Sequence, residues 1–266
     1  MDAGLKGKKA LVTGGGVGIG LAIAAALADE GVDVAIANRN DYPEAAAAIR
    51  SRGVRCVPIR ADVSREADVV RMICEAAAGL GGLDLFVNNA AAHWDEPILK
   101  ATLPAWSNAV ATNLTACVLG CREAGKRFVA QGRGAILIVG STAAFTTFPG
   151  EFSYRVTKSA LIPYMQCLAA ELAPFKIRVN MLTPGTFITR MTRAMGFEGP
   201  IYDKIMAETP LRRAGDADAD LGPSAVLLLS DTLSGYTTGT NLVVDGGVSL
   251  RVLPWRTQDE IVAMNT

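Results

Sequence analysis

The chain has 266 residues, half of them hydrophobic, and its 26 Lys and Arg balance 26 Asp and Glu. That length buries about three-quarters of the unfolded surface around one core, which excludes global disorder, and zero net charge leaves no field to draw nucleic acid or an anionic membrane. No apolar run approaches the roughly 20 residues that span a bilayer, and the opening MDAGLKGKKALV lacks a signal-peptide core, so a cytoplasmic location is expected.

In chain order, KALVTG reads as a first strand, and VTGGGVGIG from Val12 to Gly20 leads from it into the helical pattern IGLAIAAALADEG. VDVAIA is a second strand ending at Ala37, with Asn38, Arg39 and Asp41 after it. PEAAAAIRSRG is a helix, RCVPIR a third strand and EADVVRMICEAAAGLGG another helix. LDLFVNN, GAILIVGS, KIRVNMLTPG and TNLVVDGG complete the strands, and long helices are expected around Pro104 to Gln131 and Phe152 to Ala173. The strand runs are almost continuously apolar, as a parallel sheet covered on both faces requires. Regular alternation of strand and helix argues for right-handed βαβ units in an α/β fold, a doubly wound parallel sheet of about seven strands.

No Pro/Gly/Ser-rich linker divides residues 1–266, which read as one domain. Its core spans 8–185. An insertion over 186–220 follows, where Gly196, Gly199, Pro200 and Pro210 interrupt any long helix, a pattern typical of a lid or binding loop. The tail, 248–266, carries Trp255 and reads as a segment that docks on a neighbouring subunit, with a disordered tail as the alternative. The five cysteines, Cys56, Cys74, Cys117, Cys121 and Cys167, are odd in number and form no CxxC pair, so reduced thiols and no metal site are expected.

Two local patterns carry chemistry. A side-chain-free turn between strand and helix lets the backbone approach a diphosphate at the helix N-terminus. Tyr154 and Lys158, four apart in FSYRVTKSAL, share a helix face. A phenol with an ordinary pKa near 10 is a weak base at neutral pH, and a neighbouring cation lowers that pKa. Either pattern alone is commonplace.

The spacing Thr13-Gly14-x-x-x-Gly18-x-Gly20 resembles the short-chain dehydrogenase/reductase family, and the resemblance extends from about Lys8 to Gly247. It implies a Rossmann-type fold in which Thr13, Gly14, Gly16, Gly18, Ile19 and Gly20 cradle a nicotinamide dinucleotide. Asp62-Val63 matches the adenine-contacting step. Asn88 to Ala91 resembles the family's NNAG, with Asn89 and Ala90 passing the adenosine ribose and Ala91 replacing the usual Gly. TPGTFIT resembles the element that holds the nicotinamide amide, through Pro184, Gly185, Phe187 and Thr189.

The same resemblance implies the catalytic set. Ser141 orients the substrate carbonyl, Tyr154 is the acid/base, Lys158 tunes it and holds the ribose, and Asn113 holds a water linking Lys158 to solvent. Arg155, Val156 and Thr157 depart from the common Y-x-A-S-K. Asn38 stands where NAD-preferring relatives carry Asp, and Arg39 follows, which favours NADP(H); Asp41 and the missing basic residue at Val17 leave NAD(H) as the alternative. The family also implies a homotetramer built on the two long helices, with a dimer as the alternative.

For the substrate, His93 to Pro97, Ala143 to Phe152 and the insertion contribute His93, Trp94, Phe145, Phe148, Phe152 and Met191, with Phe187, Met195 and Phe197 nearby in sequence. These favour a hydrophobic or aromatic ketone or secondary alcohol as the small-molecule partner. Arg155 and Arg190 could instead hold an acidic substrate or a carrier phosphate. His93, the single histidine, reads as a partly exposed loop residue or a substrate contact, and its solitude argues against a Ser-His-Asp hydrolase. The competing activities are a carrier- or CoA-linked 3-oxoacyl reductase and a sugar or polyol dehydrogenase. Outside catalysis, the competitor is an NADP-binding sensor or scaffold.

Overall fold

The computed structural model describes residues 2–93, 97–147, 149–194, 197 and 199–250. The chain runs β1 (Lys9–Thr13), α1 (Gly18–Asp29), β2 (Asp33–Asn38), α2 (Pro43–Arg50), β3 (Cys56–Arg60), α3 (Glu66–Leu80) and β4 (Leu85–Asn88). It continues through α4 (Leu103–Val110), α5 (Ala116–Gln131), β5 (Gly134–Val139), α6 (Phe152–Leu172), β6 (Ile177–Pro184), α7 (Arg190–Ala194), α8 (Pro200–Glu208), α9 (Gly222–Leu229), α10 (Asp231–Ser234) and β7 (Asn241–Val244). The strands form one sheet of seven in the order β3-β2-β1-β4-β5-β6-β7, and every pairing is parallel.

Each expected strand is present, and their apolar runs have a common cause. Successive residues of a strand point to opposite faces, so a sheet covered twice needs apolar residues at every position. Val12, Val87 and Leu137 pack on one face with Ile23 and Leu27 of α1 and Leu229 of α9. Their neighbours Leu11, Phe86 and Ile136 pack on the other with Met72 of α3, Phe128 of α5 and Met165 of α6. The register keeps these rows aligned: Val12 lies beside Val87, and Val87 beside Leu137. The order of the strands reverses between β1 and β4, so the crevice at their carboxyl ends is where such a sheet receives ligands.

Three features differ from the sequence expectation. β2 runs one residue further, through Asn38. The helix expected from Pro104 to Gln131 is two helices joined by a single π turn, Ala111–Thr115. And Phe187, expected among the cofactor- and substrate-facing residues, has its ring in the core at 3% exposure. It is fixed there by bridging Gly215, whose missing Cβ leaves room for the ring. The insertion thus folds back onto the sheet through Phe187, and short helices α7 and α8 fill the rest.

Arg178 in β6 ties the sheet to its last helical layer. It is 8% exposed, and its guanidinium donates to the carbonyls of Leu228 at 2.7 Å and Leu229 at 3.0 Å, the open C-terminal end of α9. It also bonds Asp231 at 3.0 Å, but that carboxylate is largely exposed and contributes little. The carbonyls are the costly groups to strand, because buried acceptors without donors forfeit their hydration. Arg178→Met is expected to cost about 2–3 kcal/mol and to lower the thermal midpoint by roughly 5–10 °C. A midpoint within a degree of the wild type in calorimetry would remove Arg178 from this role.

Candidate active site

The crevice between β1 and β4 is built on a buried cross-link. The Thr13 hydroxyl, fully buried at the end of β1, donates to the Val87 carbonyl at 3.3 Å. It accepts from the N–H groups of Asn89 at 2.9 Å and Ala90 at 3.0 Å. Asn89 returns the bond, its amide donating to the Thr13 carbonyl at 2.9 Å. The Thr13 and Asn89 side chains thus fix the two walls of the crevice, the sheet-stabilising part that the family resemblance implies for the Asn88–Ala91 element.

Between those walls the Gly-rich turn has no room for side chains. A Cβ on Gly20 would stand 2.3 Å from the Gly14 carbonyl oxygen, and Gly14 itself has φ +67°, where side chains are strained. Asn38 braces the turn by accepting from the Gly16 N–H at 3.0 Å, and Tyr42 lies against Gly16. α1 begins at Gly18 with no side-chain cap and no acidic residue in its first turn. Its N-terminal N–H groups and partial positive charge are thus left for an anion, which fits a diphosphate. A cavity of about 520 Å³ lies next to this turn, lined by Gly18, Leu21, Ile188, Thr189 and the segment 214–218.

Just beyond β3, the Asp62 carboxylate accepts from the Ser64 hydroxyl at 2.7 Å and its N–H at 3.0 Å. These bonds, with the nearby charges of Arg39 and Arg65, hold its carboxyl below the usual range. Val63 is half-buried beside it. Asn38 is buried, so Arg39 is the exposed member of the pair expected to face a 2′-phosphate.

The second cluster sits where β5 ends. Ser141 follows β5, caps the short turn Thr142–Ala144 by accepting from the Ala143 N–H at 3.2 Å, and stands close enough to Tyr154, in the first turn of α6, to favour its ionised form. Lys158, one turn on, is 4% exposed and donates to the Val139 carbonyl at 3.0 Å. Its Nζ lies 5.7 Å from the centre of the Tyr154 ring.

Asn113 sits at the π turn, 2% exposed. It accepts from the Ala92 N–H and donates to the Ala92 carbonyl, both at 2.9 Å. Its amide also reaches the Thr157 hydroxyl at 3.3 Å, and that hydroxyl donates to the Tyr154 carbonyl at 2.8 Å. The Asn113 side chain is thus a brace between the β4 exit and α6. The departure at Thr157 keeps the hydroxyl this brace needs.

The electrostatics differ from the expectation for Tyr154. Burial pushes its phenol up, and the hydrogen bond from Ser141 offsets part of that rise. Lys158 directs its ammonium at the Val139 carbonyl, so Ser141 supplies the main contact that favours the phenolate. Burial brings Lys158 itself down to about 8.

His93 lies in the loop after β4 with its side chain turned inward. Its side chain is 7% exposed, with Nε2 3.4 Å from Glu151 and its ring edge-on to Tyr154 at 5.2 Å between centroids. Arg155 is likewise committed, bonding Glu151 at 2.8 Å and the Thr146 hydroxyl at 2.9 Å. Glu151 escaped the sequence reading, although its spacing of four from Arg155 was the available signal. Phe145 and Met191 are exposed, and Phe152 stacks on Trp106 at 6.0 Å. Arg190 stands over the Tyr42 ring at 6.0 Å, on the dinucleotide side of the crevice. Trp94, Phe148, Met195 and the tail with Trp255 lie outside the described residues.

Over residues 15–249 the chain matches a family model described as enoyl-(acyl carrier protein) reductase. It is 33% identical over 253 residues to an uncharacterized oxidoreductase of Thermotoga maritima, covering 94% of this chain and 98% of that one. It is 33% identical over 244 residues to the 3-oxoacyl-(acyl-carrier-protein) reductase FabG of Staphylococcus epidermidis, covering 91% and 98%. A putative short-chain alcohol dehydrogenase from Sinorhizobium meliloti superposes with TM-score 0.89 at 35% identity over 93% of this chain and 98% of that one. The NADPH-dependent 3-quinuclidinone reductase of Rhodotorula rubra gives 0.85 at 31%, covering 93% of each chain. An NAD+-bound xylitol dehydrogenase gives 0.86 at 27%, covering 92% and 100%.

The lowered Lys158 pKa has a consequence that needs no ligand. The unfolded chain binds this proton up to about pH 10.5 and the folded one only to about 8, so stability rises as pH climbs between those values. The rise amounts to at most about 3 kcal/mol. Urea unfolding at pH 8 and pH 10 is expected to show the rise in the wild type and its loss in Lys158→Met. The same slope in both would mean that Lys158 is charged and paired in the fold.

Proposed function

Because this chain belongs to the short-chain dehydrogenase/reductase family and is thus an NAD(P)-dependent oxidoreductase, we propose that it interconverts a carbonyl compound, chiefly a ketone, and the corresponding alcohol with NADP(H). The observation that carries this reading is the convergence of Ser141, just after β5, on Tyr154 in the first turn of α6, with Lys158 one turn on and its Nζ 5.7 Å from the centre of the Tyr154 ring. The bare glycine cradle and open α1 N-terminus support the diphosphate, Arg39 a 2′-phosphate and Asp62 the adenine. Pro184 and Gly185 follow at the end of β6, and Thr189 beyond them lines the same cavity, which supports a nicotinamide amide there.

When bound, the nicotinamide supplies or accepts the hydride, and the protein has to manage the proton and the oxygen. In reduction, the Tyr154 hydroxyl donates its proton to the carbonyl oxygen as that oxygen gains charge. Ser141 donates a hydrogen bond to the same oxygen, which holds the developing charge in place. A phenol pushed up by burial stays protonated at neutral pH, which suits it as the acid. In oxidation it must leave as phenolate, and the Ser141 hydrogen bond with the nearby Lys158 ammonium favours that form. Asn113 acts at one remove, by holding α6 and the segment after β4 in register.

Exposed Phe145 and Met191 support an apolar or aromatic substrate. A 3-oxoacyl thioester on a carrier is the second reading, favoured by the likeness to FabG and by Arg190, whose exposed guanidinium remains within reach of a phosphate. Arg155 gives it no support, since Glu151 already neutralises that guanidinium. Exposed Leu103 on α4, Val118 on α5 and Val156 on α6 support assembly through those helices, as in the proposed tetramer. Among the described residues no helix is long and apolar enough to cross a membrane, and a cytoplasmic location remains part of the proposal.

Two variants test the reading. Tyr154→Phe is expected to lower kcat by about 10²–10⁴-fold across a panel of ketones and secondary alcohols, while NADPH binding, followed by its fluorescence, stays within about twofold; full activity would sink the mechanism. Arg39→Ala is expected to raise KM for NADPH about tenfold or more and leave KM for NADH nearly unchanged. A wild type that uses NADH equally well would overturn the cofactor assignment.

A further inference from the structure

Three ionisable side chains outside the proposed chemistry are buried together against Tyr154. Glu151 immediately precedes α6 and Arg155 lies in its first turn. One carboxylate oxygen meets the Arg155 guanidinium at 2.8 Å and the other stands 3.4 Å from His93 Nε2. The side chains of Glu151, His93 and Arg155 are only 8%, 7% and 16% exposed.

From this centre the contacts reach every segment that walls Tyr154. His93, from the segment after β4, sets its ring edge-on to the Tyr154 ring at 5.2 Å. Arg155 donates to the Thr146 carbonyl at 2.5 Å and its hydroxyl at 2.9 Å, gripping the loop that starts at Ser141. Burying an ion pair costs desolvation that well-packed apolar side chains would avoid. Such a pair beside the acid/base is therefore a poor choice for stability alone.

We propose that Glu151 and Arg155 form a positioning pair for Tyr154, clamping the three segments around it and setting the balance of charge beside its hydroxyl. This rests on the assignment of Tyr154 as the acid/base. Among the described residues, the charged and titratable groups that face Tyr154 are Glu151 just before α6, Arg155 and Lys158 on α6, and His93 from the segment after β4, with the Ser141 hydroxyl from the end of β5. Glu151 pushes the phenol pKa up and Arg155 pulls it down, both secondary to burial and the Ser141 bond. Glu151 stays ionised for this purpose: burial pushes its carboxyl up, but His93 and Arg155 bring it below the usual range. The two partners thus act with opposite sign on one proton.

Alkaline titration of phenolate absorbance on the free protein reads this directly. The difference between each protein and its Tyr154→Phe counterpart isolates Tyr154 from the other tyrosines. Glu151→Gln is expected to lower the Tyr154 midpoint by roughly one pH unit, Arg155→Gln to raise it, and the double variant to fall between. Glu151→Asp keeps the charge and is expected to hold the wild-type midpoint, which covers the case in which Glu151→Gln does not fold. Shifts of the same sign in both single variants, no shift in either, or a Glu151→Asp midpoint displaced by a full unit would reduce the pair to packing. No turnover enters this measurement, so inactivity of the wild type toward carbonyl compounds would overturn the proposed function and leave the charge balance standing or falling separately.

Discussion

A parallel sheet covered on both faces leaves no strand side chain free for chemistry except at its ends. Here the rows through Val12, Val87 and Leu137 and through Leu11, Phe86 and Ile136 are consumed by packing. Every polar group given a chemical task lies at the carboxyl ends of β1 to β6 or on a helix that passes over them. The crevice itself depends on Thr13, whose single hydroxyl joins β1 to the β4 exit by three bonds. An apolar residue of the same size would leave two N–H groups and a carbonyl without partners inside the site, each costing about 1–3 kcal/mol.

Two polar assemblies meet at Tyr154 and serve different purposes. The Asn113–Thr157–Tyr154 chain is neutral and fixes backbone, linking the π turn to the first turns of α6. The Glu151–Arg155 pair with His93 is charged and fixes loops. Neutral hydrogen bonds set position at low cost. Charged ones also alter the energy of moving a proton nearby, because the surroundings screen them weakly.

The strands were legible in the sequence because double burial writes an unmixed apolar run, and the Gly-rich turn because close backbone approach excludes side chains. Tyr154, Lys158 and Ser141 were legible through spacing matched to a family pattern. What escaped depended on distant partners. Nothing near Asn113 announces that Ala92 and Thr157 will take up its amide, and nothing near Phe187 announces that Gly215 will make space for its ring. Glu151 lies outside every motif, and its meaning appears only once His93 arrives from another strand end. The same holds for Lys158: its spacing puts it near Tyr154, but only the fold shows that its ammonium also bonds the Val139 carbonyl.

The π turn at Ala111–Thr115 lets one continuous rod serve two neighbours that lie in different directions. α5 packs against α3 under the sheet, while α4 packs against α6 through Trp106 and Phe152. An α-helix advances about 100° per residue, so the extra residue in the turn rotates one half of the rod relative to the other by that angle. Without it, a helix in phase with α3 would carry Trp106 away from Phe152 and unstack the entrance to the Tyr154 helix. The turn works as a phase shifter, and Asn113, buried within it, is the residue that locks the phase to the strand it serves.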